Sequence, residues 1–248
     1  HERVVVNSFD RSSVSLYDDI YSTPGQKKYY VVNNVLETFT SKVGQFVEIM
    51  NLEEFGNALF IDHEIQVAEK DEKIYSSTFF KSSYNLSKKT NNVAIIGGGD
   101  GGVARECLEN NTNYIDWYEL DPEIVESCYR HLPKVCSKVK KSNTVKTFWG
   151  DAFESIKSVE DSKYDKIFVD LNDDQYCIDL ARKNMKGLKR ILKPGGVITA
   201  QVGSIDKKPK QVDNWCKVLG KSFGNVTVSG NHIPSFDCNW NFASSVMK

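Results

Sequence analysis

Residues 93–102 read Val-Ala-Ile-Ile-Gly-Gly-Gly-Asp-Gly-Gly, an apolar run that ends in five glycines broken by one carboxylate, Asp100. The run Asn92–Gly97 has the length and β-branched content of a buried strand. Residues 101–110 have helical spacing, so the stretch predicts strand, glycine turn and helix N-terminus, the first half of a βαβ unit. Working outward toward the C-terminus, the same rhythm continues. "YIDWYELD" (114–121), "TVKTFWGD" (144–151), "YDKIFVDLND" (164–173) and "GVITAQVG" (196–203) read as strands. "PEIVESCYRHLP" (122–133), "CIDLARKNMKGLKRILK" (177–193, stopping at Pro194-Gly195-Gly196) and "KQVDNWCKVLGKSFG" (210–224) read as helices. "NVTVSGNHIPSF" and "NWNFASSVMK" supply closing strands. Alternating strands and helices imply a Rossmann-like, doubly wound, mostly parallel α/β sheet. Ligands in such sheets sit outside the carboxyl ends of the strands.

Toward the N-terminus the rhythm changes. "KYYVVNNVLETFTS", "GQFVEIMNL" and "NALFIDHEIQVA" carry β-branched and aromatic residues in partial alternation, and 51–56 has the composition of a hairpin connection. The expected division is an N-terminal antiparallel β domain over residues 1–78 and a Rossmann-like catalytic domain over 79–248. Residues 1–30 match nothing.

Composition narrows the partners. Lys+Arg 32 against Asp+Glu 33 leaves a net charge of −1, so no basic surplus points to nucleic acid. No run of about 18 apolar residues predicts a membrane span, and residues 1–13 lack the apolar core of a signal peptide. The six cysteines are scattered without a C-x-x-C pair, which reads as free thiols in a reducing compartment, with no metal site expected. A cytoplasmic protein is the expectation.

A glycine turn alone is weak evidence of function. It can hold a pyrophosphate or merely pack tightly. Gly97, Gly98 and Gly99 acquire meaning from two acids at neighbouring strand ends. Glu119 ends the second strand of the α/β half, 20 positions after Gly99, where a carboxylate accepts both hydroxyls of a ribose. Asp151 ends the third, where an acceptor meets an adenine amino group. Taken singly, each reads equally well as an exposed loop acid; taken in order, they describe an adenosine pocket. Asp100 then argues against a dinucleotide, because a carboxylate beside a pyrophosphate repels it strongly at low dielectric. A ligand with a sulfonium and an ammonium fits. Decarboxylated S-adenosylmethionine carries only the amine, which Asp100 would hold by a charge-assisted bond while disfavouring the carboxylated form.

These residues resemble the spermidine/spermine synthase family, the polyamine aminopropyltransferases. The resemblance rests on Gly97-Gly98-Gly99-Asp100-Gly101-Gly102, on "FGNALFIDHEIQVAEKDEKIY" at 55–75, and on Glu119-x-Asp121, Gly150-Asp151 and Asp170-x-x-Asp173 in order and spacing. It runs from about residue 30 onward. It implies transfer of an aminopropyl group from decarboxylated S-adenosylmethionine, as co-substrate and with no permanently bound cofactor, onto a polyamine in a homodimeric enzyme. It also implies roles. Asp170 is the catalytic aspartate that attends the attacking amine, Tyr75 contacts that amine from the other side, and Asp173 is a second acceptor-binding acid. Gln45 and Gln66 line the nucleoside and aminopropyl region. Asp100 binds the aminopropyl amine, Glu119 the ribose, and Asp151 with Ala152 the adenine. Gln201 and Phe236 fall in the acceptor region.

Several positions depart from the family pattern. Asp170-Leu171-Asn172-Asp173-Asp174 replaces Asp-Ser-Ser-Asp-Pro, and the gate loop that follows is short. Ser76-Ser77 follows Tyr75. Pro234-Ser235-Phe236 replaces Pro-Thr-Tyr, so a hydroxyl near the acceptor is lost. The Asp170-Leu171 step, the surroundings of Tyr75 and the short run after Phe236 lean toward spermine synthases. Two rival readings stay open: an S-adenosylmethionine-dependent amine N-methyltransferase, and an inactive paralogue acting as a binding subunit. For "VDLNDD" the plain alternative is a solvated turn; for Tyr75 it is a core aromatic. Asp173 and Asp174 are expected to attract the charged chain. Trp117, Trp149, Trp215 and Trp240 read as core or interface anchors before stacking platforms, with Trp149 close enough to Asp151 to flank the adenine.

Overall fold

The computed structural model describes residues 3–6, 14–19 and 24–248. Apart from Arg3–Val6, the reading of residues 1–13 lies outside them. The N-terminal half is a six-stranded antiparallel sheet in sequential order: β1 (Arg3–Val6), β2 (Val14–Asp18), β3 (Tyr29–Thr40), β4 (Phe46–Leu52), β5 (Gly56–Ile61) and β6 (Glu64–Ala68). The β4–β5 turn is the expected connection. One face of this sheet buries Val47, Ile49, Leu59 and Val67 against Ile124, Cys128, Leu132 and Val135 of the second half.

The second half has α1 (Glu72–Tyr84), β7 (Asn92–Gly97), α2 (Gly102–Glu109), β8 (Tyr114–Glu119), α3 (Pro122–His131), α4 (Pro133–Lys140), β9 (Val145–Trp149) and α5 (Ala152–Ser155). It continues with β10 (Tyr164–Asp170), α6 (Gln175–Ile191), β11 (Leu192–Gly203), α7 (Pro209–Phe223), β12 (Thr227–Ile233) and β13 (Cys238–Val246). The sheet order is β12-β13-β11-β10-β7-β8-β9, with only β13 and β12 antiparallel to their neighbours. The chain leaves β7 in one direction to β8 and β9, then returns to its other side for β10. The carboxyl end of β7 is therefore the switch point, where such sheets open a crevice.

The strand β7 is buried on both faces through Val93, Ala94, Ile95 and Ile96, which explains its unbroken apolar run. Three helix starts follow from acids read in the sequence. Asp121 accepts from the backbone N–H of Glu123 and Ile124 at the start of α3, Asp151 from Phe153 at α5, and Asp174 from Cys177 at α6.

The helix α1 crosses residue 78, where the division between halves was expected. The antiparallel strands end at Ala68 and the helix begins at Glu72. Its sequence, EKIYSSTFFKSSY, is rich in serine and aromatic residues of middling helix propensity, so tertiary burial of Phe79 and Phe80 decides the conformation. α4 was also not predicted; Pro133 opens it as a first helical residue instead of ending α3's run.

A buried ion pair ties α1 to α2. Arg105 donates to both Glu72 oxygens, at 2.5 and 3.1 Å, and also to the Val135 carbonyl at 3.1 Å. Both side chains are about one-twentieth exposed. Arg105→Ala leaves the Glu72 carboxylate buried without its partner. We expect it to cost about 3–5 kcal/mol, read as a lower urea midpoint. An unchanged midpoint contradicts this pairing. Among the described residues no helix is long and apolar enough to cross a membrane.

Candidate active site

The crevice at the switch point is a cavity of about 420 Å³, roofed by the N-terminal sheet. It is lined by Gln45, Gln66, Tyr75, Gly97, Gly98, Gly99, Asp100, Glu119, Asp151, Ala152, Asp170, Asp173, Gln201 and Phe236, the residues given catalytic or binding roles by the resemblance. These come from both sheets, so neither half forms the site alone.

The glycines do a specific job. Gly97 and Gly98 have φ of +82° and +69°, a region that disfavours side chains. A Cβ on Gly97 would lie 2.3 Å from the Asp170 carbonyl oxygen, and the Gly98 N–H donates to that same oxygen at 3.1 Å. The glycine turn thus lets the end of β7 touch the end of β10, and two separate sequence motifs become one site.

Two carboxylates, Asp170 and Asp100, line the cavity at this junction. Tyr75 Oη donates to Asp170 Oδ1 at 2.7 Å. Its ring is held edge-on by Phe79 and Phe242, at 6.0 and 5.2 Å. Tyr75 is thus at once a packed aromatic and a hydrogen-bond partner of the acid. Burial lifts the Asp170 carboxyl to about 6, against the Tyr75 bond, which lowers it. Asp100 Oδ1 accepts from the Gly102 N–H at 2.7 Å, at the start of α2. Burial, then the charges of Asp170 and Glu72, push the Asp100 carboxyl well up. Two buried acids, Asp100 raised by burial and then by the charge of Asp170, with the Tyr75 hydroxyl on Asp170, make a pocket that favours a cation.

At the other end, Glu119 is buried, and burial raises it to about 7 although it accepts from the Asp121 N–H at 3.1 Å. A Cβ on Gly99 would meet Glu119 Oε2 at 3.4 Å, so the glycine turn and this acid are neighbours. Gln66 donates to the Glu64 carbonyl at 3.1 Å, and Glu64 itself lines the cavity.

Asp174 caps α6 through Oδ1, as described, and also lines the cavity, where its side chain is exposed. Two expectations change. Trp149 is half exposed and is not among the residues lining the cavity, because it ends an edge strand and points outward. Gln201 has its polar atoms engaged by protein: Oε1 accepts from Trp240 Nε1 at 3.0 Å and Gly203 N at 3.2 Å, and Nε2 donates to the Leu171 carbonyl.

Tyr118 and Trp240 also line the cavity and were not read as site residues. Tyr118 looked like core, and is; its ring stacks on Phe148 at 4.9 Å. Its hydroxyl pairs with Tyr164 at 2.5 Å, and Tyr164 donates to Asp116 at 2.7 Å. A tyrosine in a buried strand needs such a partner, which was the one signal in the sequence that it is fixed in place.

Topology and cavity together define a Rossmann-like, methyltransferase-type fold whose switch-point crevice is lined by a glycine turn and a set of buried acids. Residues 72–248 match the spermine/spermidine synthase domain, and residues 17–69 match the spermidine synthase tetramerisation domain. The chain belongs to the spermine/spermidine synthase family. It is 29% identical over 225 residues to a polyamine aminopropyltransferase of Korarchaeum cryptofilum, covering 90% of this chain and 70% of that one. A polyamine aminopropyltransferase of Prochlorococcus marinus (strain NATL1A) is 31% identical over 210 residues, covering 81% and 72%. The crystal structure of spermidine synthase from Thermotoga maritima superposes with a TM-score of 0.83 at 18% identity, over 100% of this chain and 82% of that one. A spermidine synthase bound to the transition-state analogue AdoDATO gives 0.86 at 18%, over 100% and 84%.

Proposed function

We propose that the chain moves the aminopropyl group of decarboxylated S-adenosylmethionine onto a primary amine of putrescine or spermidine, releasing methylthioadenosine. The observation that carries this is that Asp100 and Asp170 line one cavity, with the Tyr75 hydroxyl on Asp170. The donor's nucleoside lies between Glu119, Asp151 and Ala152, and its ammonium against Asp100. The amine lone pair attacks the methylene beside the sulfonium, the C–S bond breaks, and its electrons return to sulfur. Methylthioadenosine leaves neutral.

Polyamine amines have pKa near the lysine value of about 10.4, so the site must bind a cation and yet deliver one neutral nitrogen. Asp170 accepts a hydrogen bond from that nitrogen, aims its lone pair and stabilises the charge that builds on it. The surplus proton passes to Asp170 and on to water. Asp173 holds the chain's other charge. The retained Asp100 weighs against methyl transfer, whose donor carries a carboxylate that this acid repels. Retained Asp170, Asp173 and Tyr75 weigh against an inactive binding subunit. The tetramerisation-domain match supports self-association, with the homodimer as the smallest such assembly.

The test is to incubate the protein with decarboxylated S-adenosylmethionine and putrescine, spermidine or cadaverine, then weigh the products. A lengthened amine with methylthioadenosine is expected. Methylated amine from the carboxylated donor, or donor binding with no turnover on any amine, overturns the reading.

The pH profile follows from the raised acids. Asp170 titrates near 6 and Glu119 near 7 in the ligand-free protein, both lifted by burial. Their ionised forms bind the ligands, so kcat/KM is expected to fall as pH drops through 7 to 6. A flat profile down to pH 5 contradicts these assignments.

A further inference from the structure

The segment 171–173 carries the acceptor acid, yet it lacks the proline that closes the family's pattern. What holds it is a fork. Gln201 is nine-tenths buried at the end of β11. Its Oε1 receives two donors that cannot accept, the Trp240 indole N–H at 3.0 Å and the Gly203 N–H at 3.2 Å. The oxygen must therefore face them, and the NH₂ end must face the gate segment. There it donates to the Leu171 carbonyl.

The surroundings reinforce this orientation. Gly203 has φ of +86°, and a Cβ there would lie 2.6 Å from Asp173 Oδ2, so the end of β11 passes directly against the acid. Burial raises the Asp173 carboxyl, and the nearby Lys208 charge and a hydrogen bond from Gln201 pull it back. Trp240 also meets Phe236 edge-on at 4.9 Å, so one indole touches both the apolar wall of the acceptor region and the fork.

We propose that Trp240 is a positioning residue for the acceptor half of the site, acting through Gln201 on the segment 171–173, and that Gln201 is a yoke for that segment in place of a substrate ligand. The indole N–H sets which way the amide points. The amide sets where Asp173 stands, and Asp173 meets the polyamine. This rests on the aminopropyl-transfer reading, and the two can fail separately: wild-type turnover tests that reading, and the variants below test this one.

The experiment is steady-state kinetics of wild type, Trp240→Phe and Gln201→Glu with decarboxylated S-adenosylmethionine and with putrescine and spermidine as acceptors. Thermal unfolding is run on each variant. Trp240→Phe frees the amide, and acceptor KM is expected to rise on the order of tenfold, the scale of one lost hydrogen bond, with donor KM unchanged. Gln201→Glu is the sharper discriminator. A carboxylate facing Leu171 O and Asp173 repels both, so acceptor KM rises. If Gln201 instead touched the cationic substrate, the added charge would hold or lower acceptor KM, and that result overturns the proposal. Equal shifts in donor and acceptor KM, or no shift in Trp240→Phe, also overturn it. Should Trp240→Phe fail to fold, Gln201→Glu decides alone.

Discussion

Asp170→Asn is expected to lower kcat by about 10²–10⁴-fold while donor affinity stays within a few fold. Asparagine keeps an oxygen that accepts from Tyr75 at the observed 2.7 Å, so the geometry survives. What is lost is the negative charge facing the nitrogen as it becomes positive, and the acceptor of its proton. A second readout separates this from damage to the fold. In the wild type the Asp170 carboxyl is raised by burial from 3.8 to about 6. A group with a raised folded pKa contributes stability that is present below its unfolded value and lost as pH rises through its folded value. Asp170→Asn removes that loss. The ligand-free variant should therefore match the wild type near pH 4 and be the more stable of the two at pH 7. A variant that is inactive and also less stable at pH 7 would mean that Asp170 is structural.

Asp100→Asn is the second large effect. A charge-assisted bond to an ammonium is worth about 1.5–3 kcal/mol, so kcat/KM for decarboxylated S-adenosylmethionine should fall by roughly 10–150-fold. The bond that Asp100 Oδ1 accepts from the Gly102 N–H is available to asparagine as well, so the start of α2 should remain intact. With the repulsion gone, the carboxylated donor should bind better, and discrimination between donors should shrink from both sides. If kcat/KM for the decarboxylated donor is unchanged, Asp100 serves only to cap the helix.

Much of the α/β half was legible in the sequence because its signals are local. Val93–Ile96 is an apolar run bounded by glycine, and Asp121-Pro122 is a helix start; α6 ends at Ile191, two residues before the expected stop, and Pro194-Gly195-Gly196 lies within β11. The motif acids were found because each lies at or within three residues of the carboxyl end of a strand. What was not legible depends on contacts distant in sequence. α1 is helical because Phe79 and Phe80 are buried, which its serine-rich sequence does not announce. The engagement of Gln201 arises from Trp240 and Leu171, 39 and 30 residues away. Asp174 looked free, and only the observed start of α6 assigns it to a cap. Tyr118 was hidden because a residue can be core on one side and cavity wall on the other.

The selection of a donor that lacks a carboxylate is tested most directly by calorimetric titration of the wild-type protein with decarboxylated and with carboxylated S-adenosylmethionine, at pH 7.5 and without acceptor. We expect the decarboxylated form to bind at least about tenfold tighter, the equivalent of roughly 1.4 kcal/mol. Equal affinity for the two, or tighter binding of the carboxylated form, would contradict it.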